Sequence, residues 1–153
     1  VPVSWTADTV SSINDVMRSH RLDTVVDVGS ILDVTPQLTD KGFVDIAKAV
    51  LLDPAVDAAV FTFVPETFAL QTLPRDASGG LEDMLSDDAV LTGLADLCLN
   101  TNKPVVFAID SGIAYEPFAA EMRKRGVPAY RHAGTAAATM ATLLQTAGRL
   151  PSS

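Results

Sequence analysis

Several residues of this sequence that can bind anions or move protons stand directly after apolar runs. Glycine and serine offer backbone amides and hydroxyls to phosphate, whereas aspartate, glutamate and histidine can act as acids and bases. In open parallel sheets, ligands bind outside the carboxyl ends of the strands, where helices also begin. The residues predicted on this ground to form a ligand site are Gly29, Ser30, Pro65, Glu66, Asp110, Ser111, Gly112 and His132.

Each of these candidates also has a purely structural interpretation. A turn alone is enough to explain Gly29, and residues 110–112 fit the start of a helix as well as a ligand site. His132 precedes the last helical segment, where a lone histidine is more often a surface residue or a cap than a base. Cys98 lies on an apolar helical face, so we expect a buried, unreactive thiol. His20, in a polar helix end, is expected to be solvated.

The sequence lacks the motifs of several enzyme classes. It contains no Gly-x-Gly-x-x-Gly and no Gly-x-x-x-x-Gly-Lys-Ser/Thr, so neither dinucleotide binding nor Walker-type phosphate binding is indicated. No Gly-x-Ser-x-Gly elbow occurs, and 2 histidines are too few for a typical histidine-rich metal site. We therefore assign no catalytic residue and no metal ligand from the sequence.

The composition is that of an acidic domain with a substantial core. The 153 residues are 48% hydrophobic and 20% charged, with a formal net charge of -8. This charge argues against nucleic acid and anionic membranes as partners, because both are bound by clustered lysine and arginine. A single cysteine excludes an intrachain disulfide. No apolar run reaches the roughly 20 residues of a membrane-spanning helix, so a cytoplasmic location is expected.

Strand-like and helix-like segments alternate along the chain. Continuous apolar runs predict strands at residues 25–28, 58–64, 104–109 and 127–130, and residues 1–3 are a candidate for a fifth. Helical periodicity predicts helices at residues 7–18, 39–52, 88–100, 115–125 and 135–148. This order predicts an α/β fold with an open parallel sheet and helices on both faces, a flavodoxin-like three-layer sandwich.

One long connection interrupts this alternation. Residues 68–87 contain Pro74, Gly79 and Gly80, and they form either a mobile lid or a local embellishment. We expect a single domain over residues 1–150 and a frayed tail at residues 151–153. Because the chain begins with Val1 rather than methionine, we expect a fragment or module of a larger protein.

Four motifs, in this order, resemble those of one protein family. An Asp-Val-Gly-Ser turn at residues 27–30 precedes a helix, and residues 52–60 read Leu-Asp-Pro-Ala-Val-Asp-Ala-Ala-Val. Lys-Pro-Val occupies residues 103–105, and Gly-Val-Pro-Ala-Tyr-Arg occupies residues 126–131. Over most of its length the chain is similar to the carboxylate-CoA ligase domain of NDP-forming acyl-CoA synthetases and of succinyl-CoA synthetase beta subunits.

The resemblance implies one module of a multidomain ligase, inactive when isolated. That family interconverts acyl-CoA, NDP and phosphate with the free acid, CoA and NTP, and a histidine on another ligase domain carries the phosphoryl group. The loop at Gly29 and Ser30, and the helix that follows Pro65 and Glu66, would then present backbone amides to phosphate. CoA and phosphate would be bound in the assembled enzyme and not by this chain alone. The implied partners are CoA-binding, phosphohistidine-bearing ligase and ATP-grasp domains or subunits.

Differences from the family pattern leave other functions open. Gly29 is followed by Ser-Ile-Leu-Asp instead of further glycines, and Val64-Pro65-Glu66 stands where a Gly-Gly pair is usual. An ionised Glu66 would repel a nearby phosphate. A non-catalytic regulatory or scaffolding domain derived from this fold is therefore the alternative, and a flavodoxin-like binder of another small anion is a third. The string at residues 132–134, His-Ala-Gly, resembles a phosphohistidine motif but stands before the last helix, where the family does not carry it.

Overall fold

Three parallel strands form the centre of the protein, which a computed structural model describes over residues 4–76 and 82–148. They are β1 (Ala59–Phe63), β2 (Val105–Ile109) and β3 (Ala129–Tyr130), ordered β1-β2-β3 across one sheet. The register pairs Ala59 with Val105 and Phe107 with Ala129. The predicted α/β class and open parallel sheet are confirmed.

Helices flank this sheet, and each predicted helix is present with small shifts at its ends. Those in the described residues are α1 (Ala7–Ser19), α2 (Asp40–Leu52), α3 (Val90–Asn100), α4 (Glu116–Lys124) and α5 (Ala133–Thr146). A short 3-10 turn, Ile113–Tyr115, leads into α4. Across the described ranges, none of these helices has the length and apolar character needed to cross a membrane.

The helices cover the two faces of the sheet unequally. Every residue of β2 is buried, as expected for a central strand with helices on both sides. On one face Phe107 belongs to the main core, which it shares with Phe118 of α4 and apolar residues of α2 and α3. On the other face Val106 packs in a smaller cluster with Ala136 and Met140 of α5. The helix α1 lies outside these layers and packs against α2.

Two buried aspartates join the ends of helices to each other and to neighbouring loops. Asp53, which follows α2, accepts hydrogen bonds from the backbone amides of Thr6 and Ala55 at 2.9 and 2.8 Å. Asp40, at the start of α2, accepts from the amides of Gln71 and Val90 at 3.1 and 2.7 Å. Burial raises the pKa of Asp40 although these amides oppose the shift. Both carboxylates replace backbone partners that the helix ends lack.

The predicted strand at residues 25–28 is absent. The amides of Val25 and Val26 both donate to the carbonyl of Leu22, which makes a turn, and the amide of Gly29 donates to the carbonyl of Asp27. Val26 is buried, whereas the side chain of Val25 is 71% exposed. In the described residues no strand lies beside this segment to form a ladder, so its β-branched residues pack without becoming a strand.

The described parts of the long connection after β1 pack against the rest of the protein. The amides of Thr72 and Leu73 donate to the carboxylate of Glu82, and Met84 is buried with Leu70 in the main core. These contacts favour the embellishment over the lid for residues 71–76 and 82–87. Residues 77–81, the candidate strand at residues 1–3 and the tail at residues 151–153 lie outside the described residues.

Candidate functional site

Three loops meet at the carboxyl edge of the sheet, one after each strand. The amide of Gly112, after β2, donates to Oε1 of Glu66, after β1, at 3.4 Å. Nη2 of Arg131, after β3, donates to the carbonyl of Ser111 at 3.4 Å. Both contacts link loops that are far apart in sequence, and parallel strands explain why they converge. We refer to residues 65–66, 110–116 and 131–134 as the carboxyl-edge loops.

Arginine and glutamate balance charge at these loops. Glu116, the first residue of α4, forms an ion pair with Arg123, two turns further along the same helix. It forms a second ion pair with Arg131, at 3.6 Å. The side chains of Glu116 and Arg131 are 40% and 47% exposed. Solvent therefore screens the pair, and Arg131 keeps donor groups available to a ligand.

His132 and Asp110 stand side by side on adjacent strand ends. Nδ1 of His132 lies 4.0 Å from Oδ1 of Asp110, and the two side chains are 75% and 67% exposed. This distance is an ion-pair separation and is too long for a hydrogen bond. The pair can hold a positive charge on a protonated imidazole, but it lacks the geometry of a base positioned by its carboxylate.

The start of α5 differs from the starts of α2, α3 and α4 in having neither a side-chain partner for its first amides nor an acidic residue in its first turn. The start of α4 is also uncapped, but its first residue is a glutamate. Thr39 accepts the Gly42 amide at the start of α2, and Asp40 accepts the Val90 amide at the start of α3. The first turn of α5 follows His132 with no side-chain cap and no acidic residue. Uncapped amides and the helix dipole favour a bound anion at such a terminus.

The helix expected after Pro65 and Glu66 to present amides to phosphate already has one of its first-turn amides bonded. That helix is α3, which begins at Val90, and a buried carboxylate already bonds its first amide. The amide of Val90 is therefore not free to bind phosphate. The carbonyl of Pro65 is buried and accepts a hydrogen bond from the hydroxyl of Thr72 at 3.0 Å.

Glu66 brings negative charge to the same edge. Burial raises the pKa of Tyr115, and the nearby carboxylates of Glu66 and Glu82 raise it further. Because the carboxylate of Glu66 also accepts the Gly112 amide, it occupies a donor that an anionic ligand would need. Any anion bound between these two loops must displace Glu66 or meet it in its protonated form.

Gly29 and Ser30 do not join the carboxyl-edge loops. The indole Nε1 of Trp5 donates to the carbonyl of Gly29 at 2.6 Å. Ser30 lines a groove at the free edge of β1, away from residues 110–116. The strand that was predicted to carry both residues to the sheet edge is missing, which explains their different position.

Two other residues singled out in the sequence have structural roles. Burial raises the pKa of the Cys98 thiol, which is half-buried and free, so little reactive thiolate forms near neutral pH. His20 is not simply solvated, since its Nδ1 lies 2.9 Å from the carbonyl of Val16 and its Nε2 lies 2.8 Å from the hydroxyl of Thr39. It joins the end of α1 to the start of α2.

Sequence reasoning missed Glu116 and Tyr115 at this edge. Both lie just after Gly112, in the turn that starts α4, and neither belongs to a recognised motif. The acidic residue in the first turn of a helix was the one available signal, and it normally indicates only favourable interaction with the helix dipole. Their proximity to Arg131 and Glu66 depends on how β1 and β3 flank β2.

The carboxyl-edge loops carry both hydrogen-bond donors and carboxylates. Arg131 and the α5 amides are donors, His132 can add charge when protonated, and the carboxylates of Glu66 and Asp110 oppose them. The loops form only a shallow surface, because the depression at Ser111 holds no enclosed volume. Among residues 4–76 and 82–148, no three His, Cys, Asp or Glu side chains are grouped to hold a metal ion.

Comparison with known proteins places the chain by its fold. No protein-family model matches the sequence, and no curated protein matches it significantly. The structure is similar to the crystal structure of PH0766 from Pyrococcus horikoshii OT3, with a TM-score of 0.64 over 86% of this chain and 20% sequence identity. The chain spans about a quarter of the length of that protein, 26%. At this identity the likeness establishes a shared α/β fold.

Proposed function

We propose that residues 1–150 form one ligase module of an NDP-forming acyl-CoA synthetase-like protein. The observation that carries the proposal is the meeting of three loops at one sheet edge, among them the loop that ends the Gly-Val-Pro-Ala-Tyr-Arg motif. The α/β fold shared with part of a much longer protein is also what a module would have. The module would contribute to a phosphate and CoA thioester transfer site completed by other domains.

In this role the chain supplies donors and no nucleophile. The first-turn amides of α5 and the guanidinium of Arg131 would hold a phosphate group of CoA or the transferred phosphate. The phosphoryl carrier, the nucleotide site and the CoA site would come from phosphohistidine-bearing, ATP-grasp and CoA-binding partners. We place such an assembly in the cytoplasm.

Reconstitution tests this function. The chain is mixed with the CoA-binding, phosphohistidine-bearing and ATP-grasp domains of an NDP-forming synthetase, and NTP-dependent CoA thioester formation is measured. We expect formation to rise above the level of those domains alone. No gain at any ratio of the components contradicts the ligase function.

A charge placed in the first turn of α5 identifies the anion site within that assay. Gly134→Asp adds a carboxylate where a new Cβ has open space, and an acidic residue at a helix start does not weaken the helix. We expect it to lower thioester formation roughly tenfold or more, as loss of an anion donor does. Ala138→Asp makes the same charge change on an exposed position one turn later and is expected to have little effect.

The alternative is a regulatory or scaffolding domain that binds no phosphate. The bond between Glu66 and the Gly112 amide favours it, since this carboxylate already takes the place of an anion. Titration with inorganic phosphate and with CoA, followed through the amide resonances of Gly112 and Gly134, separates the two functions. Saturable shifts that grow in Glu66→Gln support the ligase module, and no shifts in either protein support the scaffold.

A further inference from the structure

A groove runs along the free edge of β1, on the side away from β2. Its volume is about 330 Å³, and it is lined by β1, by α2 and by residues 30–32 and Val34. The indole of Trp5 also lines it. These residues differ from those of the carboxyl-edge loops, so the use of this groove is independent of the ligase proposal.

The backbone of β1 presents hydrogen-bonding groups to this groove. The amide of Ala59 donates to the carbonyl of Pro104, and the amide of Asp110 donates to the carbonyl of Phe63, so alternate residues of β1 bond β2. The amides and carbonyls of Val60 and Thr62 therefore point to the opposite edge. In the part of the chain that the structure describes, no strand pairs with that edge.

The side chains of the groove are uncharged and mostly apolar. Val60 is 40% exposed and Ile31 is 90% exposed. None of the described residues lining the groove carries a charge, in a chain whose net charge is -8. Soluble proteins protect sheet edges with lysine, proline, bulges or a covering segment. The sequence of β1, Ala-Val-Phe-Thr-Phe, contains neither lysine nor proline. A groove without charged side chains favours a bound segment that is itself uncharged.

The residues that line the groove opposite β1 favour one added strand over a second sheet. Residues 30–32 and Val34 line the same groove as Val60 and Thr62. A second copy pairing edge to edge would bring a sheet and its helices into the space these residues take, whereas one added strand needs about 4.8 Å. Two copies would also repel each other, because each carries a net charge of -8.

We propose that this groove binds one extended, uncharged, β-branched segment of a partner polypeptide, which adds a strand beside β1. Its backbone bonds the free amides and carbonyls of Val60 and Thr62. Its alternate side chains pack on the face of α2 that lines the groove, at Phe43, Ile46 and Val50. In such strand addition the main chain supplies affinity and the side-chain alternation supplies specificity.

A designed peptide tests the site through the protein's own fluorescence. The probe is an acetylated and amidated peptide of alternating valine and threonine with a lysine at each end, and the control replaces its central valine by proline. Trp5 is the single tryptophan of the sequence, and because it lines the groove its emission reports binding. We expect a saturable change in its emission, slower hydrogen exchange at the amides of Val60 and Thr62, and roughly tenfold weaker binding of the proline peptide.

Matched variants locate the binding edge. Val60→Asp puts a charge into the groove, and Val64→Asp makes the same change at a side chain that is 56% exposed and does not line it. We expect Val60→Asp to weaken peptide binding roughly tenfold or more and Val64→Asp to change it by no more than about twofold. No saturation by about 1 mM peptide, or equal effects of the two variants, overturns the proposal. A dimer that Val60→Asp dissociates also overturns it and assigns the edge to a second copy.

Discussion

One carboxylate, that of Asp53, bonds the start of α1 to the end of α2. Asp53 accepts the amide of Thr6, the residue that also caps α1, and its carboxylate is only 1% exposed. The hydroxyl of Thr9 is the largest cause that lowers the pKa of Asp53 to about 2, and the amides of Thr6 and Ala55 add to it against the opposing effect of burial. Folding therefore stabilises the ionised form of Asp53 relative to the unfolded chain.

The pH dependence of Asp53→Asn follows from this shift. A lowered folded-state pKa contributes stability that is complete above the unfolded value of 3.8 and is lost as the pH falls toward about 2. We expect the variant to unfold at lower urea concentration than the natural sequence at neutral pH, with the difference shrinking between those two pH values. Asp57→Asn, at an exposed position, is the control and is expected to show no such convergence. A difference that stays constant down to pH about 2 contradicts the assignment.

Close approach of α2 and α3 depends on a glycine. A Cβ added at Gly93 would lie 2.6 and 3.0 Å from the two γ-carbons of Val44, whereas one added at Gly134 would meet nothing within 4 Å. Gly93→Ala is expected to cost about 1–3 kcal/mol through overpacking, despite the higher helix propensity of alanine. Gly134→Ala is expected to be neutral or slightly stabilising.

Urea unfolding of both glycine variants measures this difference. A double variant with Val44→Ala is expected to recover part of the cost of Gly93→Ala, because the shorter side chain removes the clashing atoms. Equal stability of Gly93→Ala and Gly134→Ala contradicts the close packing of the two helices.

Helices were predictable from the sequence because their signals are local. The apolar periodicity of α1 and α2 is confirmed by their buried faces, and the structure adds side-chain caps at Thr6 and Thr39. Gly126 ends the helical region with a φ of 82°, as its sequence position indicates. Strands at residues 58–64 and 104–109 were predictable because these runs are long and strongly apolar.

Features that depend on distant partners were not predictable. Residues 25–28 have a strand-like composition, but a strand also needs a neighbour. The described chain gives Val26 side-chain packing and a turn hydrogen bond to Leu22 instead of a ladder. The contacts of Glu66 with Gly112 and of His132 with Asp110 were predictable in outline, because the three loops follow strands of one parallel sheet. The ion pair between Glu116 and Arg131 and the capping of α3 by Asp40 were not, since they depend on tertiary placement.

Net charge acts on the whole molecule. At -8, repulsion between carboxylates opposes the compact state near neutral pH, and the exposed ion pairs offset little of it. Salt weakens this repulsion, since the Debye length falls to about 8 Å at 0.15 M. An anionic ligand experiences the same field, so the α5 terminus and Arg131 must attract it locally against the charge of the whole molecule.

The salt dependence of stability tests this balance. We expect the urea midpoint near pH 7 to rise when NaCl is increased from roughly 0.02 to 0.3 M, by the equivalent of about 1 kcal/mol or less. Near the sequence pI of about 4.5 the net charge vanishes, so the same addition should have little effect. Chloride is preferred to sulfate because sulfate strengthens apolar burial at any pH. An equal rise at both pH values would assign the effect to general salt action, and a fall near pH 7 would mean that attractive ion pairs outweigh the net repulsion.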